Sequence, residues 1–510
     1  MKKRSILLAL VVVAALVFPA VVMAELPGGG WWSFYQIQNV GGVAGTLQME
    51  AYATGTGGST YYSDSFILAD GGALAFHPGL APTYPTGDRI GFTSDLPSGF
   101  QGSAVLMADV PIVAVTQIGN NTSGSVGAGG TATSFYQGIG GTAAASRVSF
   151  PTVKHNFNGQ TTTFYVQAAG GDAQVTITYN MNDGSVHVQS TTIEANRMFM
   201  FDPANASPAV ASSSCGAADT SPCMGAATVV ASTGSIVGVA VEHPHLGSPA
   251  PFVLSTRGFT VADEDTTIFA PTIKNGFNGS TTGFSVQNVG SVQTTAYITL
   301  TVTNASNPAL IGNKYYDSET INPGSAVVFS VYRNNLGGMP VGTFASAVVS
   351  AGQPLVGAVN ESKSQANTPG GKAKAVYAAF AQSAATDVVA LPLVKELFNG
   401  KTTGVTVVNA GDTPTIFIAT YTDANGVTRQ FQTTATYGTG EAVSFFQVFQ
   451  NSGGKFTGLA DFSVLEGTKN SVVITTNNGE SVIALAQESD RAARELDIKN
   501  YEGFSLVSAP

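Results

Sequence analysis

The chain has 510 residues, a formal net charge of −10 and only 11% charged residues, whereas 44% of its residues are hydrophobic. An acidic chain without a basic patch cannot meet phosphates well, so we expect no nucleic-acid partner. The hydrophobic share is too high for a disordered chain, and the many β-branched residues and 59 glycines favour an all-β fold.

The first 24 residues have the pattern of a secretion signal. A basic start, Met1-Lys-Lys-Arg4, precedes an apolar run from Ser5 to Val22, and Val22-Met-Ala24 has the small residues of a cleavage site. We expect removal of residues 1–24, a secreted or cell-surface protein, and no transmembrane anchor after cleavage. The alternative is an uncleaved anchor, because the apolar run approaches spanning length.

One stretch occurs three times, starting at Pro151, Pro271 and Pro392, at spacings of 120 and 121 residues. Each copy opens with Pro, a variable residue, Val or Ile, and Lys, and continues into Phe-Asn-Gly-x-Thr-Thr. A constant period of one small domain predicts tandem copies of a module. The Asn-Gly pair predicts a tight turn after the opening strand.

Each copy continues with short alternating strands separated by turns that contain Gly or Asn. An apolar hairpin ends each copy, and a tail with an aromatic patch follows the hairpin. About seven strands with turns every 8–12 residues are typical of an immunoglobulin-like β-sandwich, although the Cys…Trp…Cys signature of true immunoglobulin domains is missing.

The residues before the first full copy contain a fourth, degenerate copy. Tyr35-Gln-Ile-Gln-Asn-Val-Gly41 matches Phe284-Ser-Val-Gln-Asn-Val-Gly290, but the Pro-x-Val-Lys strand is missing. The sequence therefore predicts an all-β protein, a tandem array of four immunoglobulin-like β-sandwich modules in a rod. The predicted modules are residues 25–145, 146–265, 266–385 and 386–510, the last including a C-terminal strand segment.

The repeated pattern resembles that of bacterial secreted and cell-surface proteins with tandem immunoglobulin-like β-sandwich repeats. Their modules open with a Pro-x-Val-Lys-like strand and an aromatic-Asn-x-Thr-Thr stretch, as at Pro151 and Pro271 here. The resemblance covers nearly the whole chain after the signal and is strongest over residues 149–490. It implies the fold and an extracellular location, and it implies no chemistry.

Two groups of residues are candidate structural sites. Cys215 and Cys223 are close in sequence, which in an exported protein predicts one disulfide; their spacing is not that of a Cys-x-x-Cys metal or redox pair. Asp263-Glu264-Asp265 lies at a module boundary, where three carboxylates could hold calcium, a hard ion that prefers oxygen ligands. The alternative is an exposed acidic turn, and no other cofactor is expected.

No catalytic motif stands out, so we expect the protein not to be an enzyme. Glu242-His-Pro-His245 is the only local histidine cluster, for which a solvated strand end is favoured over a weak metal site. The repeated Lys154, Lys274 and Lys395 are interpreted as strand-edge charges that block unwanted pairing. The alternative is contact with a neighbouring module or a glycan.

These observations favour a structural protein, such as a subunit of a surface layer, sheath or filament. Self-association is expected, with the strand around Tyr501 and Phe504 filling the incomplete first module of another copy. The alternative is a carbohydrate-binding adhesin or surface stalk, with glycans or other surface proteins as partners. Its aromatic candidates are the adjacent pairs Trp31-Trp32, Tyr61-Tyr62 and Tyr315-Tyr316.

Overall fold

The computed structural model describes residues 17–18, 31–76, 89–90, 96–97, 99–120, 132–212, 221–245, 252–333, 335–364, 372–423, 426–446, 456–457, 462–490 and 498–506. In these ranges the backbone consists of strands, connecting loops and short 3-10 turns, which confirms the predicted all-β fold. No helix in this part of the chain is long and apolar enough to cross a membrane. The 3-10 turns are Gly141–Ala143, Pro203–Asn205, Val261–Asp263, Pro308–Leu310, Asn335–Gly338, Gln382–Ala384 and Phe462–Leu465.

Module 1 has two sheets, in the orders β11-β1-β8-β3-β4, with β5 beside β3, and β10-β9-β2-β6-β7. The place of its opening strand is taken by β1, a two-residue strand within the predicted signal. The strands are β1 (Val17–Phe18), β2 (Trp31–Asn39), β3 (Gly45–Ala53), β4 (Thr60–Tyr62), β5 (Phe66–Leu68), β6 (Ala73–Phe76), β7 (Arg89–Ile90), β8 (Gly102–Ala108), β9 (Ile112–Asn120), β10 (Ala132–Gln137) and β11 (Ile139–Gly140).

Module 2 follows the same plan, but its long opening strand, β12, pairs with strands of both sheets and joins them. The order is β15-β14-β17-β12-β13-β18-β19, with β16 beside β13. The strands are β12 (Arg147–Phe157), β13 (Gln160–Ala168), β14 (Ala173–Met181), β15 (Val186–Ile193), β16 (Met198–Phe201), β17 (Met224–Thr233), β18 (Ile236–Pro244) and β19 (Leu254–Arg257).

The predicted closing hairpin is wrong, because in modules 1, 2 and 4 its two strands pair with other strands of the module and, among the described residues, not with each other. In module 3 these two strands are one continuous strand, β25. This strand pairs with β20 and β22 through one half and with β21 and β26 through the other. The strands are β20 (Asp265–Asn275), β21 (Ser280–Asn288), β22 (Thr294–Ala305), β23 (Lys314–Ile321), β24 (Ala326–Ser330), β25 (Thr343–Ser364), β26 (Lys372–Ala378) and β27 (Phe380–Ala381).

Module 4 shows the plan most clearly, with separate sheets β33-β31-β30-β34-β28-β37 and β32-β29-β35-β36. The predicted C-terminal strand segment is therefore part of this module's own two sheets. The strands are β28 (Val388–Glu396), β29 (Lys401–Asn409), β30 (Phe417–Asp423), β31 (Thr428–Thr433), β32 (Ala442–Phe446), β33 (Phe456–Thr457), β34 (Thr468–Thr476), β35 (Val482–Asp490), β36 (Ile498–Glu502) and β37 (Phe504–Leu506).

The local sequence explains the turns and the faces of these strands. Asn158, Asn278 and Asn399 all have positive φ, as the Asn-Gly turn after each opening strand requires. In β14 the residues alternate between buried and more exposed, so that Val175, Ile177 and others of one face enter the core. The predicted boundaries at 145, 265 and 385 fall directly after the 3-10 turns that separate successive modules, and remain predictions.

The last segment of every module crosses from one sheet to the other. A residue between its two strands donates its backbone N–H to a carbonyl on the strand with which the segment first pairs, and the chain then lies beside the opening strand. This crossing ties the two sheets of each sandwich together. The four donor–acceptor pairs are Gly138–Ala114, Gly258–Gly238, Ala379–Gly357 and Gly503–Ala484, each at 2.7 Å.

The four modules form a closed ring around their closing strands. Strand β10 contacts β19, β19 contacts β26, β26 contacts β36, and β36 contacts β10 again. Apolar clusters fill all four contact regions, which we call seam 1–2, seam 2–3, seam 3–4 and seam 4–1. The modules are arranged head to tail, and the rotation from each module to the next brings the fourth module back into contact with the first.

The predicted rod is therefore wrong, for a reason that is visible in the burial pattern. Strand β18 is buried at eight consecutive residues from Ile236, and β13 is buried at eight consecutive residues from Thr161. Consecutive burial means that both faces of these strands are covered, one by the module's own core and the other by a neighbouring module. A rod would leave the second face exposed to water.

Candidate functional site: the seams between the modules

The acidic run at residues 263–265 does not form one site. Each carboxylate has its own structural partner at the junction of modules 2 and 3, and among the described residues no three His, Cys, Asp or Glu side chains are grouped to hold a metal ion. The calcium hypothesis therefore has no ligand set in this part of the structure. The partners are Arg257 for Asp263 (2.7 Å), Arg147 for Glu264 (2.6 Å) and the Ser383 N–H for Asp265 (2.7 Å).

Cys223 directly precedes β17 and is fully buried and disulfide-bonded. Cys215 is the only other cysteine of the sequence and lies outside the described residues. Cys215 is thus the only partner that the chain itself can offer.

The predicted aromatic interface residues lie inside the ring. Trp31 packs against the apolar cluster of seam 1–2, and Trp32 lies over Gly119. Tyr501 and Phe504 belong to the core of module 4, where the Tyr501 hydroxyl bonds the backbone of Leu393. In one chain β36 pairs with β35 and β37 with β28 of their own module, so exchange of this strand with another copy would have to open these pairings, and it remains a prediction.

The histidines of module 2 come closer together than the sequence suggests. His155 and His245 meet edge to face, with ring centroids 5.6 Å apart, and His243 is buried, so a solvated strand end is wrong for His243. Burial lowers the pKa of His243 and of His245, and the nearby His155 lowers that of His245 further. His243 and His245 therefore favour the neutral form.

The repeated lysines are the main feature that the sequence analysis misjudged. Lys154 and Lys274 are buried rather than placed at strand edges, and each repeated lysine forms an ion pair with a glutamate of β18, β25 or β35. The glutamates lie opposite the second threonine of the repeated Thr-Thr pair. The ion pairs are Lys154–Glu242 (2.8 Å), Lys274–Glu361 (2.7 Å) and Lys395–Glu488 (2.7 Å).

The first module replaces this ion pair with an apolar residue. The position equivalent to these glutamates, opposite Ser33, is Ile118, and Ile118 joins Val241 of module 2 in the apolar cluster of seam 1–2. Module 1 also lacks the repeated lysine. The charge and its partner are thus absent together, as expected because an unpaired charge is costly to bury.

At seam 3–4 the ion pair becomes a network between modules. Gln487 of module 4 accepts from Lys274 Nζ (2.9 Å) and donates to Glu361 Oε2 (2.9 Å). Burial alone would raise the pKa of Glu361, but Lys274, with Ser280 and Gln487, holds that pKa below its usual value. The carboxylate is thus kept charged inside the protein by partners from two modules.

Seam 4–1 closes the ring. The ring of Phe135, from module 1, packs edge to face on Tyr501 with centroids 5.9 Å apart, and Lys499 Nζ lies 5.5 Å from the Phe135 centroid. Lys499 in turn pairs with Glu488 at 3.2 Å. Phe135 is only 2% exposed, so this contact is as dry as a module core.

Charges also meet where the closing strands surround the ring axis. Arg257 of module 2 and Glu502 of module 4 interact electrostatically although their modules are not neighbours in sequence. Burial raises the pKa of Glu502, against the opposing effects of Arg257 and the Ala378 N–H, which donates to its carboxylate. One buried carboxyl thus interacts with residues from two other modules, through a hydrogen bond to Ala378 and electrostatically with Arg257.

A buried asparagine organises the same turn in modules 1, 3 and 4. Its side-chain amide donates to two backbone carbonyls, and its oxygen accepts from the N–H two residues later. The sequence signal for this turn is the repeated Asn-x-Gly. The asparagines are Asn39, Asn288 and Asn409, all with no exposed surface.

Comparisons with known proteins add little to this geometry. No protein-family model and no curated protein matches the chain. The solved structure "Crystal Structure of Thermotoga maritima 1070" is 16% identical, with 23% of this chain and 94% of that chain covered and a TM-score of 0.19. The "tetra-tandem repeat in extending region of large adhesion protein" is 11% identical, with coverages of 92% and 94% and a TM-score of 0.11. At these scores neither likeness supports an argument about this chain.

Proposed function

We propose that the protein is a non-catalytic, extracellular structural protein, a ring-shaped subunit of a surface layer, sheath or filament. The observation that carries the proposal is the use of the charges: Lys154, Lys274 and Lys395 each pair with a glutamate of their own module, and Lys274 also bonds Gln487 across seam 3–4. The secretion-signal pattern of residues 1–24 supports the extracellular location. A closed ring of four modules is a rigid unit suited to assembly.

The ring changes how such a subunit would assemble. Successive modules contact each other through complementary surfaces in all four seams, including seam 4–1. Within one chain these surfaces are therefore already covered. Assembly would then use the outer sheets or the two open sides of the ring. This replaces head-to-tail addition through the terminal strands.

Negative-stain electron microscopy of residues 25–510, over a range of concentrations and with or without calcium, tests the proposal. We expect ordered sheets or filaments built from compact four-lobed particles, independent of calcium. Isolated particles under every condition would contradict the structural role. Assembly that appears only with calcium would restore the calcium hypothesis.

A carbohydrate-binding adhesin is the second candidate, because one exposed surface carries two aromatic rings. Tyr297 of β22 is 60% exposed and Tyr316 of β23 is 64% exposed. Tyr297 lies opposite Ser318 and Tyr316 opposite Thr299, which places both rings on the outer face of module 3 among hydroxyl groups. Aromatic faces with neighbouring hydroxyls suit the apolar faces and hydroxyls of sugars.

A glycan array with the mature protein tests this candidate. If module 3 binds sugars, the double variant Tyr297→Ala/Tyr316→Ala is expected to lose the signal, because both stacking faces are removed. The matched control is Tyr332→Ala, which removes another exposed tyrosine (81% exposed) outside this face. Equal binding by the two variants, or no binding by the wild type at high concentration, would exclude the site.

A further inference from the structure

Seam 2–3 contains a small cavity between residues of module 2 and residues of module 3. Its volume is about 20 Å³, and Thr152, Glu242 and Thr256 line it from module 2, with Ala358 and Asn360 lining it from module 3. This is room for a single water molecule, which needs at least roughly 10–15 Å³ by the same measure. The cavity therefore fits one water and nothing larger.

Four buried oxygen atoms of the cavity lining have no hydrogen-bond partner among the residues that the structure describes. They are Glu242 Oε1, Thr152 Oγ1, Thr256 Oγ1 and Asn360 Oδ1. The other carboxylate oxygen of Glu242 is held by Lys154 Nζ at 2.8 Å. Buried polar atoms without partners are rare in folded proteins, so four at one small cavity indicate a missing polar group between them.

The equivalent positions at seam 3–4 show which group is missing. Gln487 of module 4 is equivalent to Asn360 of module 3, because each lies opposite a glycine of the strand that follows the opening strand. The side chain of Gln487 is longer, and its amide bonds the ion pair of module 3 directly. Leu485 likewise occupies the position of Ala358 and packs into the core of module 3. Two shorter side chains thus leave the gap at seam 2–3.

We propose that this cavity binds one ordered water molecule, which replaces the glutamine amide found at seam 3–4. The water donates to Glu242 Oε1 and Asn360 Oδ1 and accepts from the Thr152 and Thr256 hydroxyls, so all four oxygens are satisfied. This matches the usual two to four partners of a buried water.

Water fits this site better than a cation does. Lys154 already balances the charge of Glu242, so a cation would add an uncompensated buried charge. A cation would also leave the hydrogens of both hydroxyls without acceptors. At the Lys–Glu ion pair, seam 2–3 is therefore bridged by water, whereas seam 3–4 is bridged there by direct hydrogen bonds.

High-resolution crystal structures of the mature chain and of two reciprocal variants test the proposal. We expect one water peak within hydrogen-bond distance of Glu242 and Asn360 in the wild type, and its loss in Asn360→Gln, where the longer amide takes its place. The variant Gln487→Asn is expected to gain a corresponding water beside Glu361. The midpoint of thermal unfolding should rise by about 1–2 °C in Asn360→Gln and fall in Gln487→Asn.

Three results would overturn the proposal. The first is a wild-type cavity without a density peak, and the second is a water peak that persists unchanged in Asn360→Gln. The third is a peak with metal-like contacts shorter than about 2.6 Å. A melting midpoint that drops when sodium is replaced by choline would identify that third case as a bound cation.

Discussion

Replacing Lys274 with methionine is expected to destabilise module 3 by about 3–5 kcal/mol, one of the two largest effects that the structure predicts. The methionine removes the charge that pairs with Glu361, whose side chain has no exposed surface, and also the donor to Gln487. The carboxylate would remain buried without its cation. Urea unfolding of the mature chain, compared with the wild type, measures the loss.

Two control variants separate the ion pair from other effects of the substitution. Lys274→Met/Glu361→Leu removes both charges and should recover most of the loss, because well-packed apolar residues can replace a buried pair. Lys314→Met changes an exposed lysine in the same module and should shift the free energy of unfolding by less than about 0.5 kcal/mol. A double variant as unstable as the single one would contradict this account.

The same variant should also reverse the response of stability to acid. In the wild type the pKa of Glu361 is lowered, so its contribution is fully present above the unfolded pKa of about 4.3 and is lost as pH falls through the folded pKa. Without Lys274, burial would raise this pKa, and lowering the pH would then recover stability. Unfolding curves at pH 7 and pH 5 show the sign.

Substituting Phe135 with alanine is expected to open the ring at seam 4–1. The substitution removes a buried ring that packs on Tyr501, and such truncations cost about 3–5 kcal/mol. The four modules would remain folded, because Phe135 contributes to a cluster shared with module 4 rather than to the separate core of module 1. The change should therefore appear in overall shape more than in secondary structure.

Small-angle X-ray scattering measures this change directly. We expect a radius of gyration of about 25 Å for the closed ring and a rise towards about 40 Å, the value for four modules in line, in Phe135→Ala. Tyr332→Ala, which changes an exposed aromatic residue, should leave the value unchanged. A wild-type radius near 40 Å would show that the modules form a rod after all.

The sequence was sufficient for the elements within a module because short-range signals determine them. The Asn-Gly pairs at 158–159, 278–279 and 399–400 predict the turns, and residues such as Val175 and Ile177 alternate with polar ones along β14. These signals operate over a few residues. They contain no information about which module faces which.

The ring and its seams could not be predicted in the same way. From the sequence alone, the repeated lysines were interpreted as strand-edge charges; they are Lys154, Lys274 and Lys395. Their partners are glutamates 87 to 93 positions later, which only the fold places opposite the repeated threonines. The glutamates Glu242, Glu361 and Glu488 recur at spacings of 119 and 127 residues, close to the 120 and 121 of the lysines, so the signal was present but is long-range. No sequence pattern predicts the contact between Phe135 and Tyr501 that closes the ring. This contact depends on the rotations between neighbouring modules at the three earlier seams, added together.

Seam 4–1 has a consequence for how the protein behaves on dilution. Four separate modules joined by such seams would dissociate as their concentration fell, as any oligomer does. Here each partner is tethered to the next, and a short tether supplies an effective concentration in the millimolar range. The ring should therefore remain closed in a dilute medium, with contacts at each seam that would be too weak to hold four free chains together.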